Sequence, residues 1–133
     1  MVRYIVASLA FAAIFYISGG LIWGGLFGEA TKSYANLWRA EADMIPRMLL
    51  SAIIMGFSVV LMLLKLAPAI DGGVFIKGAS FGALLFLILG VAQSFYWYSF
   101  TPVGSELLIA SLLDRAIGCI LGSIVAAYIL GSK

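Results

Sequence analysis

Apolar positions in this chain fall into four long runs, separated by short polar or Gly/Pro-rich breaks. The runs cover about 4–27, 47–66, 75–98 and 105–130. Each meets the roughly 20 predominantly apolar residues that an α-helix needs to cross the hydrocarbon layer. Pro68 and the Asp71-Gly72-Gly73 turn divide the second run from the third. Pro102 and Gly104 divide the third from the fourth, where Ser105 is expected as the N-cap and Glu106 suits the positive end of the helix dipole. The pattern predicts an all-α polytopic membrane protein: one domain over 1–133 with four transmembrane helices.

The longest connection, "GEATKSYANLWRAEADMIPR", has Phe27, Ala30, Tyr34, Leu37 and Trp38 at helical spacing, with Lys32, Ser33, Asn36 and Arg39 opposite. A short helix lying in the interface plane between the first and second spans is expected, the alternative being a polar loop. The opening "MVRYIVASLAFAAIFYISGG" carries one basic residue before an apolar run longer than the roughly 7–15 residues of a signal peptide, so a retained first helix is expected.

Composition agrees with a bilayer as solvent. Of 133 residues, 64% are hydrophobic and 11% charged, against about a quarter charged in soluble domains. A net charge of +2 without a basic cluster gives no reason to expect a nucleic-acid partner. Histidine is absent and Cys119 is the lone cysteine, so internal disulfides and histidine-held metal or haem sites are excluded. No cofactor, metal or catalytic residue is expected. Membrane lipids and either a second copy or other membrane subunits are the expected partners.

Lysines and arginines near the span ends set orientation. Arg3, Lys65, Lys77 and Lys133 lie on the side of the termini, against Lys32, Arg39 and Arg47 on the other. The count favours both termini in the cytoplasm, with Lys65 and Lys77 reaching for headgroups. Trp23, Trp38, Tyr96, Trp97 and Tyr98 collect at the opposite boundary. They read as an aromatic belt, or alternatively as the walls of a shallow ligand groove.

Helices in lipid associate by close packing over small residues. Gly20, Gly24 and Gly28 recur at four-residue spacing in the first span, and Gly78, Gly82 and Gly90 share a stripe in the third. Ala110, Asp114, Gly118, Gly122 and Ala126 form a third stripe on the last span. Spans one, three and four are therefore expected to make the tight contacts, span two offering only Ser51 and Gly56.

The fourth span also holds the conspicuous chemistry, "SLLDRAIGC" at 111–119. Asp114, on the small-residue stripe, should face protein near mid-bilayer, about 13 Å along the helix from Ser105. A charge at that depth needs a partner. Arg47, at the start of the second span, is the expected one. Arg115 points about 100° away around the helix and should be met by Ser111, Glu106 or backbone carbonyls. One reading is an ion pair that fixes packing register; the other is a proton- or ion-coupled element or a subunit contact.

The segment "SGGLIWGGLFGEA", with Trp23, Leu26, Phe27 and Gly28, resembles a family of small four-helix bacterial membrane proteins catalogued as a domain of unknown function. Where that family has Tyr after the Trp, this chain has Gly24. The resemblance implies a four-helix fold and a bacterial inner-membrane setting, without an activity. Together these features point to a structural or accessory subunit of a membrane assembly, and alternatively to a small oligomeric transporter or channel using Asp114 and Arg115. An enzyme ranks third.

Overall fold

The computed structural model describes residues 1–131; Lys133 and the Glu41 side chain lie outside that description. Four helical spans are long and apolar enough to cross a membrane: Val2–Leu26, Ala42–Ala69, Val74–Phe100 and Ser105–Leu130. The protein is an all-α, multi-pass membrane protein, and among the described residues there is no strand.

The first span begins as helix α1 (Val2–Gly19) and continues with π-helical winding over Gly20–Leu26. The connection to the second span holds a short helix α2 (Gly28–Ser33) and one 3-10 turn, Ala35–Leu37. The interfacial segment is thus two short pieces rather than one continuous helix. Tyr34, with φ −113 and ψ 26, breaks it.

Helix α3 (Glu41–Leu66) starts six residues before the position that hydropathy marks, Arg47. Its polar first turn folds on the backbone alone, with the Asp43 and Met44 N–H groups donating to the Ala40 carbonyl. After the Gly72 turn (φ +117, where a side chain would be strained) the third span runs as α4 (Val74–Leu85). It passes through a second π-helical segment, Phe86–Ala92, into α5 (Gln93–Phe100). The last span is α6 (Ser105–Leu130). Gly104, not Ser105, is its N-cap, and Gly131 closes it in the left-handed conformation (φ 64) beside the Arg3 side chain.

Helix α6 is the centre of the arrangement, with α1 along one side and α4–α5 along the other. Helix α3 lies chiefly against α1 and touches α4 and α6 sparsely. Cβ atoms at Gly78 and Gly82 would come within 2.7 Å of the Ile124 and Ile120 Cα atoms, so both glycines permit backbone-to-backbone packing of α4 on α6. At Gly118 and Gly122 the rings of Phe15 and Phe11 occupy the space a side chain would need.

Two expectations are corrected here. The second span does pack tightly, because Gly56 lets the Ser8 carbonyl and Ala12 of α1 approach its backbone. Conversely Gly20, Gly24 and Gly28 have nothing within 4 Å of a built Cβ. The π-helical winding changes the angular step per residue, so four-residue spacing there no longer marks a contact face.

The core lies toward the termini: Phe11, Val60, Leu63, Phe81, Cys119 and Ala126 are its centre. Lys77, expected at the headgroups, is a buried residue in the first turn of α4.

Candidate functional site: a cation-lined cleft inside the membrane

From Ala52 onward, α3 buries Ala52, Gly56, Val59, Val60 and Leu63 against its neighbours. From Ala42 to Ser51, every residue except Met44 is exposed. The reason is local. The inner half offers alanine and glycine at the contact positions, whereas the outer half offers Met44, Arg47 and Met48. Bulky side chains hold the helix away from α1 and α6, and a cleft opens.

Three cavities of about 550, 500 and 210 Å³ occupy this cleft. The first lies between α1, α3 and α6, with Phe15, Trp23, Met48, Met55 and Asp114 among its walls. Arg47, Ser51 and Met55 line both it and the second, which extends to Leu89 and Gln93 of the third span. The third lies under Trp23, Trp38 and Trp97. Arg115 lines all three.

Asp114 sits on the inner wall, buried. Its Oδ2 accepts from the Trp23 indole N–H at 3.2 Å, and its Oδ1 lies 3.4 Å from the Ser18 hydroxyl, whose proton is shared with the Phe15 carbonyl at 3.1 Å. A Cβ on Gly19 would stand 3.4 Å from Oδ1, so the glycine leaves room for the carboxylate beside α1. The expected ion pair with Arg47 is not formed: among the described residues the ion pair is Lys32–Glu29, at 2.8 Å in the exposed connection. Arg47 and Asp114 share the cavity wall without closing on each other. The neutral donors come from the first span, Ser18 at the end of α1 and Trp23 within the Gly20–Leu26 segment.

Arg115 is solved separately. Its guanidinium carbon lies 4.9 Å from the centroid of the Phe15 ring, a cation–π contact. Among the described residues it has neither carboxylate nor hydrogen-bond partner. Ser111, one expected partner, bonds Ser94 across the α5–α6 contact at 2.7 Å instead. An arginine near the middle of a span costs about 2.5–3.5 kcal/mol on insertion scales. A ring face returns about 0.5–2 kcal/mol of that.

Both π-helical segments lie at this level of α6. Gly19 and the Gly20–Leu26 segment face Asp114, and a Cβ on Gly90, within Phe86–Ala92, would stand 3.1 Å from the Arg115 Cβ. Such segments frequently mark functional sites, because they depart from the ordinary hydrogen-bond ladder at some cost.

The belt aromatics divide into two groups. Trp23 packs edge-on to Trp38 with centroids 6.1 Å apart, and Trp38 stacks on Trp97 at 6.5 Å. Thr31 holds this roof in place: its hydroxyl is shared between the Phe27 and Trp23 carbonyls at 2.9 and 3.0 Å, and its carbonyl accepts from the Trp38 indole at 3.2 Å. The Tyr34 hydroxyl, accepting from the Gly104 N–H at 2.8 Å, ties the roof to the start of α6. Tyr96 is exposed and packs edge-on to Phe100, away from the cleft, and Tyr98 is half-buried. Sequence reasoning placed Trp23 in the belt or on the wall of a groove, not beside Asp114, and missed Ser18 altogether. The signal for both was Asp114 itself, which needed donors at its own depth.

No protein-family model, curated protein or solved structure matches the chain.

Proposed function

We propose that this is a non-enzymatic membrane protein that binds or passes a ligand at its intramembrane cleft, the transporter-like alternative that Asp114 and Arg115 raise. The observation that carries this reading is Arg115: a mid-span cation that forms no salt bridge among the described residues, at the junction of three cavities. A charge pair serving only to lock register has no need of open volume around it, and a half-buried cation in mid-span that closes no salt bridge is stable only if something solvates it. The chemistry is read as binding rather than catalysis because, among the described residues, the cleft holds one carboxylate, already hydrogen-bonded, and no general base beside a nucleophile. We place both termini in the cytoplasm of a bacterial inner membrane, from the basic count and the family resemblance.

Thiol accessibility tests the reading. Ser51→Cys, on the cleft wall, should react with a water-soluble charged maleimide, while Leu61→Cys, on the lipid side of α3, should not. Native Cys119 is buried and gives no background. Equal inertness at both positions would mean a dry, closed cleft and would remove the reading.

A second reading, the structural or accessory subunit, has an observation of its own. Gly20, Gly24 and Gly28 stand in open space, and small residues on an outer face allow a helix of another subunit to approach closely. Cysteine cross-linking at Gly24 in native membranes tests it; absence of any cross-linked species would count against assembly through that face.

A further inference from the structure

The chemistry of the cleft walls specifies what kind of ligand belongs there. Arg39, Arg47 and Arg115 all line the cavity of about 550 Å³, against one carboxylate among the described residues, that of Asp114. Both Asp114 oxygens are engaged by Ser18 and Trp23, turned toward α1. The guanidinium groups are therefore the charges left to meet a ligand, and a planar guanidinium fork matches carboxylate and phosphate oxygens. The remaining wall is thioether and aromatic, with Met44, Met48 and Met55 able to adapt to an irregular apolar chain. The volumes fall within the roughly 300–1,000 Å³ of small-molecule sites.

The second cavity shows how such a ligand would arrive. Its outer wall includes Leu50 and Ile54, both exposed on the lipid side of α3, and Leu89 faces them from the third span. The cleft thus opens sideways, between α3 and the α4–α5 arm, into the plane of the bilayer. At the other end the tryptophan roof and the bond from Gly104 to Tyr34 close it toward the interface.

We infer that the cleft takes an anionic amphiphile from the membrane, its carboxylate or phosphate headgroup on Arg115 and Arg47 and its chain along the methionines. This rests on the cleft reading above and adds the charge, the apolar tail and the lateral route.

The protein contains its own probe, since Trp23, Trp38 and Trp97 all line the cavities. A brominated long-chain fatty acid added to the detergent-solubilised chain should quench tryptophan fluorescence saturably, and the unbrominated acid should relieve the quenching. The methyl ester, with the same chain and no charge, should quench only by weak, non-saturating partition. Inorganic phosphate, an anion with no tail, should displace the acid poorly. Arg115→Gln should weaken binding at least tenfold and Arg47→Gln about threefold. Arg47 is exposed on α3, so its variant keeps the test decisive even if Arg115→Gln loses its thermal transition. Equal saturable quenching by ester and acid would overturn the anionic headgroup while leaving an open cleft. Full displacement by phosphate would overturn the tail. Unchanged affinity in Arg47→Gln would overturn the headgroup placement. Absence of quenching by either probe would overturn both this inference and the cleft reading.

Discussion

Toward the termini, the spans touch through glycine and alanine with phenylalanine rings filling the gaps; toward the aromatic belt the same spans part around three cavities. Both halves belong to spans apolar enough to cross a membrane, so the spanning pattern alone does not show where the helices part. What differs is side-chain size at the contact positions and the winding of the backbone. In a solvent of lipid tails there is no hydrophobic drive between helices, and association follows from close packing and hydrogen bonds. Small residues give the first; Asp114, Trp23 and Ser18 supply the second where small residues run out.

The contrast is most directly broken by adding bulk on each side. Gly82→Leu would drive a side chain into the backbone at Ile120 and Cys119, and overpacking of this kind costs about 1–3 kcal/mol or more. Gly24→Leu meets open space and should leave the thermal transition of the monomer unchanged. Equal losses at the two positions would erase the distinction between the halves.

Polar contacts should matter more in the open half. Asp114→Ala leaves the Trp23 indole without its acceptor, while the Ser18 hydroxyl keeps the Phe15 carbonyl, and about 1.5–3 kcal/mol of stability should be lost, as for hydrogen bonds to charged groups. In double-mutant cycles, Asp114→Asn with Trp23→Phe should be non-additive by about 1 kcal/mol or less, whereas Asp114→Asn with Arg47→Gln should be additive. The reverse result would restore the ion pair that the sequence had pointed to.

In the tight half, by contrast, two polar groups among the described residues are surplus. The hydroxyls of Ser8 and Ser123 are fully buried without partners. Ser8→Ala and Ser123→Ala should be neutral or stabilising by up to about 1 kcal/mol in thermal melts, because an unsatisfied group is removed without opening a cavity.

The smallest effect concerns the exposed connection. The Lys32 ammonium, hydrogen-bonded to Glu29, holds that carboxylate below its usual range, and Glu29 in turn raises Lys32. A depressed carboxylate stabilises above its unfolded value of 4.5 and loses that contribution as pH falls through the folded one. The raised lysine stabilises below 10.5 and loses its part as pH climbs beyond. Lys32→Ala should therefore lower the melting temperature slightly at pH 7 and leave it unaltered at pH 2; a large change at pH 7 would mean the connection is more than a solvated strap.

Four spans, their turns and the inward face of Asp114 were all readable from the run lengths and the small-residue spacing at Ala110, Gly118 and Gly122. The partners of Asp114 were not. Locating them by counting four residues assumes α-helical winding, and that assumption fails over Gly20–Leu26 and Phe86–Ala92. Glycines at 19, 20, 24 and 25, which lower helix propensity, were the available sign of departure there. Opening of the cleft was likewise hidden, because methionines and leucines read as spanning residues whether they pack on protein or on lipid.

The two π-helical segments make the site a matter of residue number. A π-helical stretch closes its backbone bonds over five residues instead of four, so each segment accommodates one residue more than an α-helix would. Removing one glycine at 24 or 25 would let the Gly20–Leu26 stretch rewind as ordinary α-helix, and each residue there carries about 100° of rotation. The indole of Trp23 would then swing off α6 while the chain upstream kept its packing. A single-codon deletion, rather than any substitution, is thus the shortest route by which a related chain could keep this fold and lose this cleft.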